Sequence, residues 1–155
     1  MCLTSRTNKP KVAKKDIVCY KVLRLTNPFW NVSRFETFYT CDPIPEKIIS
    51  GELDFIAEGN VKYNISECDL IDWIFCGKYE IDKGQIHTCK TLRGVKMSFG
   101  LDTDDMMKNG NVAVFKCIIP KGTKFYKGKF KTLNCLTIGV KSYCSDKIRF
   151  VEQVI

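Results

Sequence analysis

His87 and Cys89 are the pair in this 155-residue chain whose types and spacing come closest to reactive chemistry. They stand two apart in Gly84-Gln85-Ile86-His87-Thr88-Cys89, and a strand sets residues two apart on one face. A thiolate–imidazolium pair makes a nucleophile when an Asn or Asp orients the ring and a cleft admits substrate. The sequence shows neither, so a packed or hydrogen-bonded histidine is the expectation. Tyr20 and Lys21, further along the same reasoning, are the polar residues that a cleft around His87 and Cys89 would draw on. The catalytic set stays undetermined. With a single histidine, histidine-pair metal sites are excluded within one chain.

Other reactive patterns fail on spacing. Removal of Met1 would expose Cys2, the nucleophile type of N-terminal-nucleophile amidohydrolases, whose chains run straight into a buried strand. Here Leu3-Thr4-Ser5-Arg6-Thr7-Asn8-Lys9-Pro10 reads as polar tail, which argues against that role. Asp102-Thr103-Asp104-Asp105 opens like a calcium loop but lacks the glycine and the distal glutamate. Asn31-Val32-Ser33 and Asn64-Ile65-Ser66 match glycosylation sequons, which matter only in a secreted chain. The phosphate-loop, dinucleotide and nucleophile-elbow motifs are missing. Nine cysteines, an odd number, contain no C-x-x-C pair, and Cys19 and Cys117 lie inside apolar runs. They are expected as reduced, mostly buried thiols, with no disulfide framework, no metal and no cofactor.

Charge is the second functional signal. The net charge is +8, unevenly placed. Residues 1–24 carry seven Lys/Arg against one acid, residues 25–114 nine against fourteen, and residues 115–155 nine against two. If the two ends of the chain pair in one sheet, a basic face opposes an acidic one. Lys121, Lys124, Lys127, Lys129 and Lys131 are the candidate basic face. Such a face attracts phosphate backbones or acidic proteins, or it is a solvated sheet edge protected from aggregation by its lysines. Lysine outnumbers arginine there, and base-reading sites lean on arginine.

The elements that must position these residues are mostly strands. Residues 1–15 are basic and polar, expected as a flexible tail before a single domain over 16–155. Ile17 to Leu25 alternates as a strand. Asn27-Pro28 breaks it, and Phe29, Trp30, Phe35, Phe38 and Tyr39 form an aromatic segment expected as packing rather than a base-stacking platform. For residues 46–65 extended structure is preferred, with Gly51 and Gly59 as punctuation, although a short helix near Ile48 competes. Leu70, Trp73 and Ile74 favour a short helix between Ser66 and Gly77. A strand forms around Ile86, and a helix over Leu92 to Phe99. A turn is expected around Asp104 to Lys108, and Asn109-Gly110-Asn111 turns the chain into a strand at Val112. The strands Val112–Ile119, Thr123–Gly128 and Ser145–Ile155 complete a mainly antiparallel sheet. The fold expected is α+β, with one or two short helices on one face of that sheet.

Val18-Cys19-Tyr20-Lys21-Val22, Gly84-Gln85-Ile86-His87-Thr88, the run from Cys117 to Gly128 and Ser145-Asp146-Lys147-Ile148 together resemble small uncharacterised proteins of gut Bacteroides-type bacteria and their phages. That resemblance spans most of the chain from Ile17 onward and implies no activity. The order of elements is also similar to that of ADP-ribosyltransferase-like domains. The catalytic Arg/His, Ser-Thr-Ser and glutamate pattern of those domains is missing, and Glu152 lacks the usual neighbours, so this likeness concerns fold alone.

The expected function is that of a small cytoplasmic binding or accessory protein, of phage or mobile-element type, whose basic face meets an acidic protein or nucleic acid. A non-enzyme is favoured over the alternative, a nucleotide-handling enzyme with an ADP-ribosyltransferase-like fold. No apolar run reaches the ~20 residues that span a bilayer, and no signal-peptide core is visible, so no membrane partner is expected. The oligomeric state is open.

Overall fold

The computed structural model describes residues 3–26, 34–37, 43–57, 65–67, 79–81, 86–99, 112–130 and 139–155. Among them the elements run β1 (Leu3–Ser5), β2 (Lys11–Val12), β3 (Ile17–Thr26), β4 (Arg34–Thr37), α1 (Glu46–Ile49), β5 (Phe55–Ile56), β6 (Ile65–Glu67), β7 (Tyr79–Ile81), β8 (Ile86–Cys89), α2 (Leu92–Phe99), β9 (Val112–Ile119), β10 (Lys124–Phe130), β11 (Val140–Ser145) and β12 (Lys147–Gln153). The strands join in the order β5-β12-β9-β3-β8-β11-β10-β1-β7-β6, with β2 added on β10 and β4 on β3. The sheet is mainly antiparallel and curls into a half-barrel carrying two short helices, the α+β class expected from the sequence.

The two chain ends meet through β3 and β9. Ile17↔Ile119, Cys19↔Cys117 and Leu23↔Ala113 are direct partners, and β12 pairs with β9 on its other side. Alternation along these strands separates two apolar clusters. Cys19, Leu23, Ala113, Phe115, Cys117, Ile119, Ile148 and Phe150 fill the first, whereas Val22, Val114, Cys144, Phe130 and Val95 belong to the second. Because both faces are covered, β3 and β9 read as nearly unbroken apolar runs. In the first cluster Phe35 meets Phe115 edge-on at 5.1 Å and Phe115 meets Phe150 edge-on at 5.3 Å. Such pairs contribute about 0.5–1.5 kcal/mol beyond area burial.

Each cluster has its own helix. Ile48 and Ile49 of α1 pack on the first, and Leu92, Val95 and Phe99 of α2 on the second. The Thr91 hydroxyl accepts from the Gly94 N–H at 3.1 Å, which caps α2 at the start expected from the sequence. Gly94 lets α2 lie close on β11: a Cβ there would stand 2.7 Å from Val140 Cγ1.

Two expectations are overturned. Residues 1–15 are not a tail throughout, since Leu3, Thr4 and Ser5 are fully buried in β1, between β10 and β7. The Thr4 and Ser5 hydroxyls donate to the Lys129 and Lys127 carbonyls at 3.0 and 3.2 Å. Polar side chains thus sit in a strand interior because β10 supplies their acceptors. The second concerns only the start of 46–65: Glu46–Ile49 is helical as α1, whereas Phe55–Ile56 is extended as preferred. Pro45 precedes it with φ −57°, Glu46 lies in its first turn, and Ser50 N–H donates to Glu46 O at 2.8 Å. Gly51, at φ +80°, then ends the turn against the Phe150 carbonyl.

The readings for Cys2, the aromatics at 29, 30, 38 and 39, the helix between 66 and 77, the turns at 104–111, the Asp102 loop, both sequons' asparagines and Lys131 lie outside the described residues.

Candidate functional site

All four cleft candidates fall at one seam of the sheet. β3 changes partner along its length: Tyr20 pairs with Cys89 of β8, whereas Leu23 to Thr26 pair with β4. Lys21 sits at that change of partner. Backbone alternation explains what it does there. The Lys90 N–H donates to Lys141 O at 3.0 Å, so even-numbered β8 residues turn their backbone to β11 and odd-numbered ones turn to β3. The His87 carbonyl therefore points into the seam, and Lys21 Nζ donates to it at 3.2 Å.

The side chains themselves divide between the two faces. His87, Cys89 and Tyr20 share the face of the second cluster, while Lys21 rises from the face of the first. The thiol touching His87 is Cys144, its direct partner across β8–β11, with Sγ 3.3 Å from Nδ1 and 3.5 Å from Nε2. Cys89 instead meets the Ser142 hydroxyl at 4.0 Å. His87 also stacks on Phe130, with ring centroids 5.5 Å apart and planes at 19°. Gly128, Ser142 and Cys89 form the row between those two rings, and their small size lets Phe130 lean across.

This environment suppresses acid–base chemistry. Burial, together with the Lys21 ammonium, pushes the His87 imidazole down to about 3. Burial pushes Cys89 up to about 11 and Cys19 up to about 12. Burial also lowers Lys21, and the neighbouring thiols oppose that shift. An imidazole that resists protonation cannot hold the cation of a thiolate pair at neutral pH. The His87–Cys144 contact thus lacks the imidazolium that a reactive thiolate pair needs. Cys19, Cys89, Cys117 and Cys144 form no disulfide, and the described residues hold no group of three metal-ligating side chains.

The basic residues are sorted by the same alternation. Lys127 and Lys129 stand on the face of Phe125 and Tyr143, Lys124 takes the opposite face, and Lys121 lies in the exposed turn, its N–H donating to Asp16 Oδ1 at 2.8 Å. The anticipated face is therefore only partly contiguous. Register brings in two lysines that sequence reading did not single out. Lys129 is paired with Lys141, and Lys141 in turn with Lys90 through the hydrogen bond that continues the β8–β11 ladder. Lys90, one residue beyond β8, is thus set beside Lys141 of β11 and Lys129 of β10, on neighbouring segments about 4.8 Å apart. Thr4 and Glu80 occupy the next register positions. Lys90, Lys127 and Lys141 are exposed and make no ion pair among the described residues. Other cations are paired: Lys116 with Glu152 at 2.8 Å, and Arg149 with Asp54 at 2.8 Å.

Lys141 and Lys127, with Lys90 hydrogen-bonded beside Lys141, give this mostly-β α+β protein an exposed basic patch. No family model, no curated protein and no solved structure matches this chain.

Proposed function

We propose that this chain is a small non-enzymatic binding or accessory protein whose lysine face meets an acidic macromolecule. The exposed lysines Lys90 and Lys141, neither in an ion pair among the described residues, carry the reading. Like charges directly across strands oppose each other by about 0.2–1 kcal/mol. A polyanion laid over them turns that repulsion into attraction and gains from release of its own counterions. Lys127, two residues along β10 on the same face, widens the surface. The neutral state of His87 and the division of Lys21 from His87, Cys89 and Tyr20 weigh against the nucleotide-handling alternative. Residence in the cytoplasm, and a phage or mobile-element setting, belong to the same proposal.

The test is titration of polyanions, both polyglutamate and nucleic acid, at low salt. The native chain is expected to bind at least one of them, and Lys90→Gln with Lys141→Gln to weaken it. Equal binding by native and doubly substituted chains would remove the proposal.

A further inference from the structure

Beyond that reading, and independent of the lysine face, we infer that Lys21 is a carbonyl-capturing residue whose Nζ condenses reversibly with a small aldehyde at the seam of β3, β8 and β4.

The first argument is what the amine lacks. Lys116, Lys147 and Arg149 each sit beside a carboxylate. Lys21 has none among the described residues, and its one hydrogen bond there goes to the neutral His87 carbonyl at 3.2 Å. An ammonium group brings three donors to that single acceptor, whereas an amine donates one N–H to it and keeps a lone pair. Desolvation on the face of the first cluster favours the uncharged form as well. The residue is nevertheless only half-buried, since β3 parts from β8 here and passes to β4, which leaves the side chain partly open to solvent.

The second argument is an idle hydroxyl opposite it. Continuing the β3–β8 pairing one residue past Tyr20↔Cys89 sets Lys21 opposite Thr88, and Thr88 is the direct partner of Tyr143. Alternation places all three on the face of the first cluster. Thr88 is 1% exposed and its Oγ1 has no hydrogen-bond partner, because the Cys19 thiol beside it is a weak donor set too loosely to bond. Buried hydroxyls are rarely left so. A lone pair for the carbonyl carbon and a hydroxyl for its oxygen are what imine formation requires. A carboxylate or phosphate guest would instead call for a charged donor and several N–H groups.

In the step itself, the Nζ lone pair attacks the aldehyde carbon, and the C–N bond forms as the carbonyl π pair moves to oxygen. That oxygen, held by the Thr88 hydroxyl, takes a proton from nitrogen to give a carbinolamine. The C–O bond then breaks, the second N–H proton joins the departing hydroxide as water, and the C=N bond forms. Amine and aldehyde thus give imine and water, with no change of oxidation state.

The experiment is reductive trapping of the full chain with propanal and cyanoborohydride at pH 7, read lysine by lysine by mass spectrometry. Lys21 is expected to be labelled at least about tenfold faster than the exposed Lys90, Lys127 and Lys141, because an exposed lysine side chain is ordinarily protonated at that pH. Thr88→Val, which keeps the shape and removes the hydroxyl, should slow labelling of Lys21 by about tenfold or more without lowering the urea midpoint, whereas Thr88→Ser keeps the rate. Propanoate in excess is expected to leave the labelling unchanged. Labelling of Lys21 no faster than that of the exposed lysines, or only in denaturant, would overturn the inference, as would an unaltered rate in a folded Thr88→Val chain. Competition by propanoate would mark an anion site and overturn it too. Should the valine variant lose the native circular dichroism, the native-chain rates and the propanoate competition decide alone.

Discussion

Lys129 and Lys141 are direct cross-strand partners in β10 and β11, and alternation lifts both side chains from the face that buries Phe125 and Tyr143. Lys90, whose N–H donates to Lys141 O at 3.0 Å from the other side, sets a further ammonium group beside them.

Replacing the central lysine should help the isolated protein. Lys141→Gln removes a like charge beside exposed Lys90 and is expected to raise stability by about 0.2–1 kcal/mol in low salt, an effect that shrinks as salt rises. Urea unfolding at two salt concentrations measures it. A loss of stability that shrinks as salt rises would show instead that Lys141 is satisfied by an anionic neighbour.

Acid should destabilise the fold through His87. Its folded value lies near 3, below the usual 6.5, so the unfolded chain binds the proton first. Stability is then complete above about pH 6.5 and falls as pH drops toward 3. The expected loss, reduced because the ring is partly exposed, is about 2–4 kcal/mol across that window. His87→Phe, which keeps a ring against Phe130, should flatten the dependence between pH 6 and about 4. An unaltered pH profile in that variant would place the sensitivity elsewhere.

The opening strand is expected to be as integral as any other. A Cβ on Gly128 would stand 2.0 Å from the Thr4 carbonyl oxygen, and backbone cannot yield cheaply. Gly128→Ala should therefore destabilise the protein by about 2 kcal/mol or more and expose the Leu3–Ser5 amides to hydrogen exchange. Gly122→Ala, with open space around it but φ +85°, should cost only about 1 kcal/mol and leave those amides protected. Rapid exchange of the Leu3–Ser5 amides in the native protein would contradict the placement of β1.

Thiol reactivity should report the same packing. Cys19, Cys117 and Cys144 are fully buried, and burial holds Cys19 near 12 and raises Cys117. Alkylation at these three positions is expected to proceed only as fast as the chain opens, with the native rate rising steeply in denaturant. Fast labelling of Cys19 without denaturant would mean that the β3–β9 core is not closed.

Much of the frame was legible because it depends on local pattern. The period of two in Ile17–Leu25 and Val112–Ile119, and the helical spacing from Leu92 to Phe99, report burial directly. β1 escaped notice because Thr4 and Ser5 look like loop residues until the Lys129 and Lys127 carbonyls are supplied by a strand more than a hundred positions away. Register hid the site for the same reason. His87 and Cys89 do share a face, but the thiol beside the imidazole is Cys144, a partner set by β8–β11 pairing. Lys121 to Lys129 look continuous in one dimension, yet alternation turns Lys124 away, and pairing brings Lys141 and Lys90 in their place.

The most direct test of the central claim is lysine footprinting. The chain is acetylated with and without a saturating polyanion, and the modification at each lysine is read by mass spectrometry. Lys90, Lys141 and Lys127 are expected to be protected together, while Lys116 and Lys147, held by Glu152 and Asp54, keep their reactivity. Protection spread evenly over the lysines, or absent from Lys90 and Lys141 while the polyanion is bound, would contradict the account.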